Sequence, residues 1–208
     1  MTLPVLLLFV GFAYIILFGG ISLLRREGLS LRFAIEGVVF TGLVSGLAAL
    51  TSFSVHPVFF LLFLYLITMR VRLLVDIGTI FAKRGRFSQA ERIYQLAVRL
   101  WPDQTGSLVL QVNRGTALLQ SGKLDEAIVM LNGVLEKSGQ GFLGVKYESA
   151  AHYNLAVAYL RQKHDAQAVR EFNAVLDTWP ASEYAHRAVA ALEKQRHKDT
   201  PAPVEKQK

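Results

Sequence analysis

From Leu3 to Leu24 the chain runs for 22 residues without a charged side chain. As an α-helix that stretch is ~33 Å long, enough to cross the hydrocarbon core of a bilayer. A cleaved leader would start with basic residues, carry a shorter apolar run and end at small residues. Here the run ends in Leu23-Leu24-Arg25-Arg26, so a retained span is expected. Two more apolar runs follow, and the expected spans are about 3–24, 33–53 and 54–69. The third has a short apolar core, so it draws on Phe53 or continues past Arg70. Pro57 suits a first helical turn, where its missing N–H costs nothing. Gly42 and Gly46 stand at GxxxG spacing in the second run, an expected helix-packing face that one of the chain's own helices could meet.

This apolar material stops near residue 70. Of 39 charged residues among 208, only Arg25, Arg26, Glu27, Arg32 and Glu36 precede it. Beyond it about a quarter of the residues are charged, an ordinary share for a water-facing domain. The overall mean hydropathy of +0.32 therefore averages two materials. The chain has no cysteine, which excludes a disulfide framework, a thiolate metal site and cysteine catalysis.

The net charge is +7, and its placement carries the meaning. The first inter-span loop has Arg25, Arg26 and Arg32. The second, 51–57, has no Lys or Arg, and the segment after the third run has Arg70, Arg72, Lys83, Arg84 and Arg86. The positive-inside rule then puts the N-terminus outside and both basic segments in the cytoplasm. The expected class is a multi-pass integral membrane protein with its C-terminal part cytoplasmic. A two-span reading, with the last two runs as a re-entrant hairpin, gives that part the same side.

Past residue 70 the chain repeats. Ala90 is followed by Tyr94, Ala97 and Pro102, and Ala168 by Phe172, Val175 and Pro180. Twelve residues before each alanine stand Gly78 and Ala156. A middle copy has Gly115, Ala127, Leu131 and Val134, with Gly139 in place of proline. These residues resemble the tetratricopeptide repeat, a 34-residue helix–turn–helix unit. The resemblance implies copies at about 71–104, 108–141 and 149–182, in which Gly78, Gly115 and Ala156 face Ala90, Ala127 and Ala168. Gly85 and Gly122 suit left-handed residues ending first helices. Ser88 with Glu91 fits a capping box, and Asp125 an N-cap.

Several positions depart from the pattern: Lys163 replaces a turn glycine, Asp165 an apolar residue, and Gln111 and Arg114 two more. Phe142, Leu143 and Gly144 fall in an insertion of about seven residues between copies two and three. The expected fold is all-α: about three transmembrane helices in 1–69, then a repeat domain in 70–198. That domain is an α-solenoid of three helix–turn–helix repeats and a capping helix at 183–198, with Tyr184, Ala185, Ala188, Val189 and Leu192 on its apolar face. A disordered tail at 199–208 is expected. No glycine- or serine-rich linker separates the third span from copy one. Pro57 to Lys83 therefore reads as one helix of ~40 Å that carries the repeats directly.

Catalysis needs a positioned base, nucleophile or metal. The histidines form no metal-spaced pair, and no phosphate loop or nucleophile elbow occurs. Glu36 with Arg32 reads as an i,i+4 pair at the interface. No enzyme activity, metal, cofactor or small-molecule substrate is expected. Nucleic acid is not an expected partner either, because the aromatics fall on core positions.

The resemblance places a groove along the first helices. Its lining would be Val75, Thr79 and Lys83, then Val112, Asn113, Thr116 and Gln120, then Tyr153, Asn154, Val157 and Arg161. Asn113 and Asn154 resemble the residues that hydrogen-bond ligand backbone amides in peptide-binding members. The full cationic clamp for chaperone tails is not matched, since Asp76 stands at its asparagine position. Lys83 and Arg161 would favour an acidic peptide or helix. The expected function is a membrane-anchored scaffold, an assembly factor or accessory subunit, with membrane-associated protein partners and the lipid bilayer around it. The alternative is a component of a membrane enzyme, transport or glycan-handling system whose chemistry partner subunits supply.

Overall fold

Pro4 and Pro57 each stand in the first turn of a long helix, the place where a missing N–H is harmless. The computed structural model describes residues 2–27, 30–51, 53–139 and 143–199. Among them the chain is all-helical: α1 (Leu3–Leu24), α2 (Leu31–Leu50), α3 (Pro57–Lys83), α4 (Phe87–Arg99), α5 (Gln104–Gln120), α6 (Leu124–Ser138), α7 (Val145–Arg161), α8 (Asp165–Thr178) and α9 (Glu183–Asp199). By length and composition α1, α2 and α3 could each cross a membrane. α2 starts two residues before its expected span and ends three short of it. Residues 200–208, expected as a disordered tail, and Phe142 of the insertion lie outside the described residues.

The three apolar helices form a bundle around Leu7, Tyr14, Phe33, Phe60 and Leu64, with Phe40 stacked on Phe60 at 5.9 Å. The Tyr14 and Thr68 hydroxyls hydrogen-bond at 2.8 Å, joining α1 to α3. Close approach of α1 and α2 happens at Gly11 and Gly37. A Cβ on Gly11 would lie 2.4 Å from the Thr41 side chain, and one on Gly37 would lie 2.9 Å from Ile15. Among the described residues no helix of this chain meets the expected face at Gly42 and Gly46, where a Cβ at either would find nothing within 4 Å. The buried row of α2 is Phe33, Gly37, Thr41 and Ser45. Gly42 and Gly46 lie one residue further on, about 100° round the helix.

α3 runs without a break from this bundle into the first repeat. Its N-terminal half buries Phe60 and Leu64 among the apolar helices, and its C-terminal half buries Val75, Gly78 and Ala82 against α4 and α5. The compositional boundary at residue 70 thus falls inside one helix of ~40 Å.

From α3 onward the helices pair as α3–α4, α5–α6 and α7–α8, with α9 covering the end. Ala90, Ala127 and Ala168 are fully buried, as are Tyr94, Leu131 and Phe172 four residues on and Ala97, Val134 and Val175 after those. Full burial of side chains of this size contributes roughly 1.5–3 kcal/mol for each of the larger ones. The small residue of the first helix differs from expectation in its partner. A Cβ on Gly78 would lie 2.5 Å from the Tyr94 ring, and one on Gly115 would lie 2.9 Å from Leu131. The slot left by the missing side chain receives the large residue rather than the alanine.

The turns follow the expected chemistry at Gly85 (φ 73°) and Gly122 (φ 84°), and Lys163 adopts the same left-handed form at φ 63° without being glycine. The expected caps do not form. α4 begins at Phe87, leaving Ser88 inside it, and α6 begins at Leu124, leaving Asp125 in its first turn, where it accepts from Gln162 at 2.6 Å. Side-chain caps among α4–α9 form instead at Asp103, accepting from the Gly106 N–H at 2.8 Å, and at Ser182, accepting from the Ala185 N–H at 2.9 Å. Arg114 departs from the apolar pattern because it makes a two-pronged ion pair with Glu91 of the preceding repeat. On α9, Ala185 and Ala188 are buried and Tyr184 packs on Tyr153 at 5.6 Å, but Val189 is exposed.

Candidate functional site

The first helices of the three repeats, α3, α5 and α7, carry the expected groove residues. Threonine and asparagine at these positions meet across neighbouring helices. The Thr79 hydroxyl donates to Asn113 Oδ1 at 3.2 Å, and Asn154 Nδ2 donates to the Thr116 hydroxyl at 2.9 Å. Asn113 Nδ2 donates in turn to the Val109 carbonyl at 2.8 Å. Two equivalent rungs therefore tie α3 to α5 and α5 to α7. Both polar ends of Asn113 are engaged within the protein.

Tyr153 is drawn away from a groove role by packing, since its ring sits 5.8 Å from Phe172 and joins the cluster under α9. Val112 is buried, and Val157 is half-buried beside the same cluster. Lys83, Gln120 and Arg161 are exposed at the C-terminal ends of α3, α5 and α7, and Arg161 also donates to the Leu119 carbonyl at 2.8 Å. Of the expected face this distal row, with its two cations, is exposed, while Thr79, Asn113, Thr116, Tyr153, Asn154 and Val157 are half-buried.

The opposite end of the same helices holds a cluster that the linear pattern does not reveal. Arg26, Glu27 and Ser30, which stand between α1 and α2, meet residues of the repeats, and Glu27 is 3% exposed. Glu27 accepts from Lys146 of α7 at 2.5 Å and pairs with Arg72 of α3. Burial pushes the Glu27 carboxyl up, but the hydrogen bonds from Lys146 and Arg72 outweigh it and hold the group below the usual carboxylate range. The neighbouring Tyr147 hydroxyl is pushed up to about 12, first by burial and then by the Glu27 charge.

A second carboxylate is shared in the same way. Glu36 accepts from Arg32 Nε at 2.6 Å, the expected i,i+4 pair, and also takes Arg70 of α3 on both oxygens, at 2.5 and 2.8 Å. The Ser30 hydroxyl donates to Asp103 at 2.5 Å, and the Lys146 N–H donates to the Arg26 carbonyl at 3.2 Å. The two tryptophans occupy equivalent positions before Pro102 and Pro180; Trp101 meets the first turn of α2 and Trp179 meets the α1–α2 segment. Arg32 donates to the Trp101 carbonyl, and the Arg26 guanidinium lies 5.5 Å from the Trp179 ring centre. The α1–α2 segment is thus fastened to α3, to the α4–α5 turn, to α7 and to the α8–α9 turn.

Between these groups lies a cavity of about 530 Å³. Phe18, Tyr65 and Met69 line one end of it and Arg25, Arg32, Arg72 and Lys146 the other. Val75 and Asp76 of α3 and Val109 of α5 also line it. The sequence offers one sign of this junction, an isolated acid between arginines at Arg25-Arg26-Glu27. No local spacing pairs Glu27 with Arg72 or Lys146.

Comparison with protein families matches residues 118–192 to the tetratricopeptide repeat. That stretch runs from the last residues of α5 into α9, so it covers α6, the third repeat and the first part of the cap helix, and most of α5 lies outside it. The first repeat lies outside it and shares its geometry through Gly78, Ala90, Tyr94 and Ala97. Among curated proteins and solved structures nothing matches the chain.

Proposed function

We propose, from the premise that this is a tetratricopeptide repeat protein, that it is a membrane-anchored scaffold with no reaction of its own. It serves as an assembly factor or accessory subunit of a membrane protein complex. α1, α2 and the first half of α3 span the bilayer, with the N-terminus outside and the repeats in the cytoplasm. The observation that carries this reading is α3 itself, which is one helix through the apolar bundle and the first repeat. A flexible tether would let the repeats search for partners; a shared helix instead presents them at a set height and angle. The contacts between the α1–α2 segment and the repeats support a topology with both basic segments on one side, in keeping with the charge distribution.

The partner is a protein with an extended acidic segment or an acidic helix, received on the outer part of the repeat face. The distal row of Lys83, Gln120 and Arg161 supports this, because it is exposed and basic. The hydrogen-bonded asparagines act as struts that hold α3, α5 and α7 in register beneath it. Affinity capture from detergent-solubilised membranes tests the reading with Lys83→Glu/Arg161→Glu beside the wild-type protein. The wild type should retain a membrane-associated partner that the double variant loses. Equal retention by both proteins would contradict the assignment of the distal row.

A further inference from the structure

We propose that the cavity at the foot of the solenoid binds the phosphate headgroup of an anionic phospholipid. This rests on the membrane-anchored reading above. The cavity lies where the apolar helices end and the repeats begin, and its lining changes character in the same direction. Phe18 and Tyr65, 5.9 Å apart, and Met69 form its apolar end. The cations Arg25, Arg32, Arg70, Arg72 and Lys146 form its polar end. A phospholipid has that same gradient, from acyl chain through glycerol to phosphate. The volume of about 530 Å³ lies in the range of small-molecule sites and exceeds what a bare phosphate fills.

The charge balance favours an anion. Glu27 is shared by Arg72 and Lys146, and Glu36 by Arg32 and Arg70, so each group of three retains one positive charge. Asp103 already accepts from Ser30 and from the Gly106 N–H. Asp76 is the remaining acid of the lining, and Arg25 has no ion-pair partner among the described residues. Five cations face four acids, so one positive charge is left over. The exposed guanidinium of Arg25 is available to a phosphate, and charge-assisted bonds of this kind are the strong ones.

The full chain in non-ionic detergent provides the test, because Trp101 lines the cavity and reports on it. Trp179→Phe makes it the sole tryptophan of a chain that has two. Dioctanoyl phosphatidylglycerol should change its emission saturably. Dioctanoyl phosphatidylcholine and glycerol 3-phosphate should bind at least about ten-fold more weakly. Arg25→Gln should weaken phosphatidylglycerol binding by about ten-fold, the loss of one charge-assisted bond. Gly19→Phe should remove the saturable change, since it fills the cavity from a position where a Cβ meets nothing within 4 Å. Equal binding of glycerol 3-phosphate would make this a site for soluble phosphates and overturn the lipid. Equal binding of phosphatidylcholine would overturn the selection by charge. Indifference to both variants would show mere partition into the micelle and overturn the site. Carbonate extraction of the source membranes separates this from the premise. Release of the protein would sink the membrane anchor, whereas retention without selective binding would sink only the lipid.

Discussion

Replacing Glu27 by glutamine would leave Arg72 and Lys146 facing each other across an uncharged amide. Removing one member of a buried ion pair costs several kcal/mol when all members are buried. Here the carboxylate is 2% exposed but Arg72 and Lys146 are 37% and 39% exposed, so water moderates the loss. Glu27→Gln should therefore lower stability by about 1–3 kcal/mol, measured by denaturant unfolding in detergent. The acid dependence has a definite sign. The folded-state pKa of Glu27 is depressed, so its contribution is fully present above the ordinary carboxylate pKa. It is lost as the pH falls through the lower folded value. The wild-type protein should lose stability below about pH 4, and Glu27→Gln should show a smaller loss over the same window. Arg32 with Glu36 was legible in the sequence because four residues bring two side chains to one helix face. Glu27 was not, because its partners stand 45 and 119 residues away. Only the packing of α7 and α3 on the α1–α2 segment makes them neighbours.

At the level of elements, the repeats were legible because each copy places the same sizes of side chain at the same turns. Ala90, Ala127 and Ala168 are buried alike, and the left-handed turns at Gly85 and Gly122 follow from residue type. Faces and caps were less legible. A GxxxG spacing fixes a period but not which way the helix is turned, and in α2 the neighbouring row at Gly37 and Thr41 is the one covered. Capping residues were misplaced where a helix starts earlier than the pattern implies, as α4 does at Phe87. α3 is the informative case. Its apolar signal ends at Met69, yet the helix continues because the residues beyond it bury Val75, Gly78 and Ala82 on one side. Spin labels at the exposed positions Leu66 and Ile80 should give a single narrow distance near ~21 Å, the rise of 14 residues of unbroken helix. A broad distribution would place a hinge at the bundle boundary.

The whole molecule combines a shared helix with a brace. α3 sets the distance of the repeats from the apolar helices. The ion pairs of Glu27 and Glu36, with Ser30 on Asp103 and Arg26 over Trp179, set their rotation about that axis. A single helix resists bending but leaves the body attached to it free to swing on its loops. Contacts from one segment to α3, the α4–α5 turn, α7 and the α8–α9 turn remove that freedom. The distal basic row of Lys83, Gln120 and Arg161, proposed above as the partner site, is thereby held in a set position relative to the apolar bundle. The most direct test measures a distance between the two halves in the intact protein. The absence of native cysteine allows one label on Val39 of α2 and one on Val129 of α6, both exposed. Double electron–electron resonance on the protein in lipid nanodiscs should give one narrow distance that broadens in the Glu27→Gln/Glu36→Gln variant. A broad or multiple distribution in the wild-type protein would contradict the fixed mounting of the solenoid on its apolar helices.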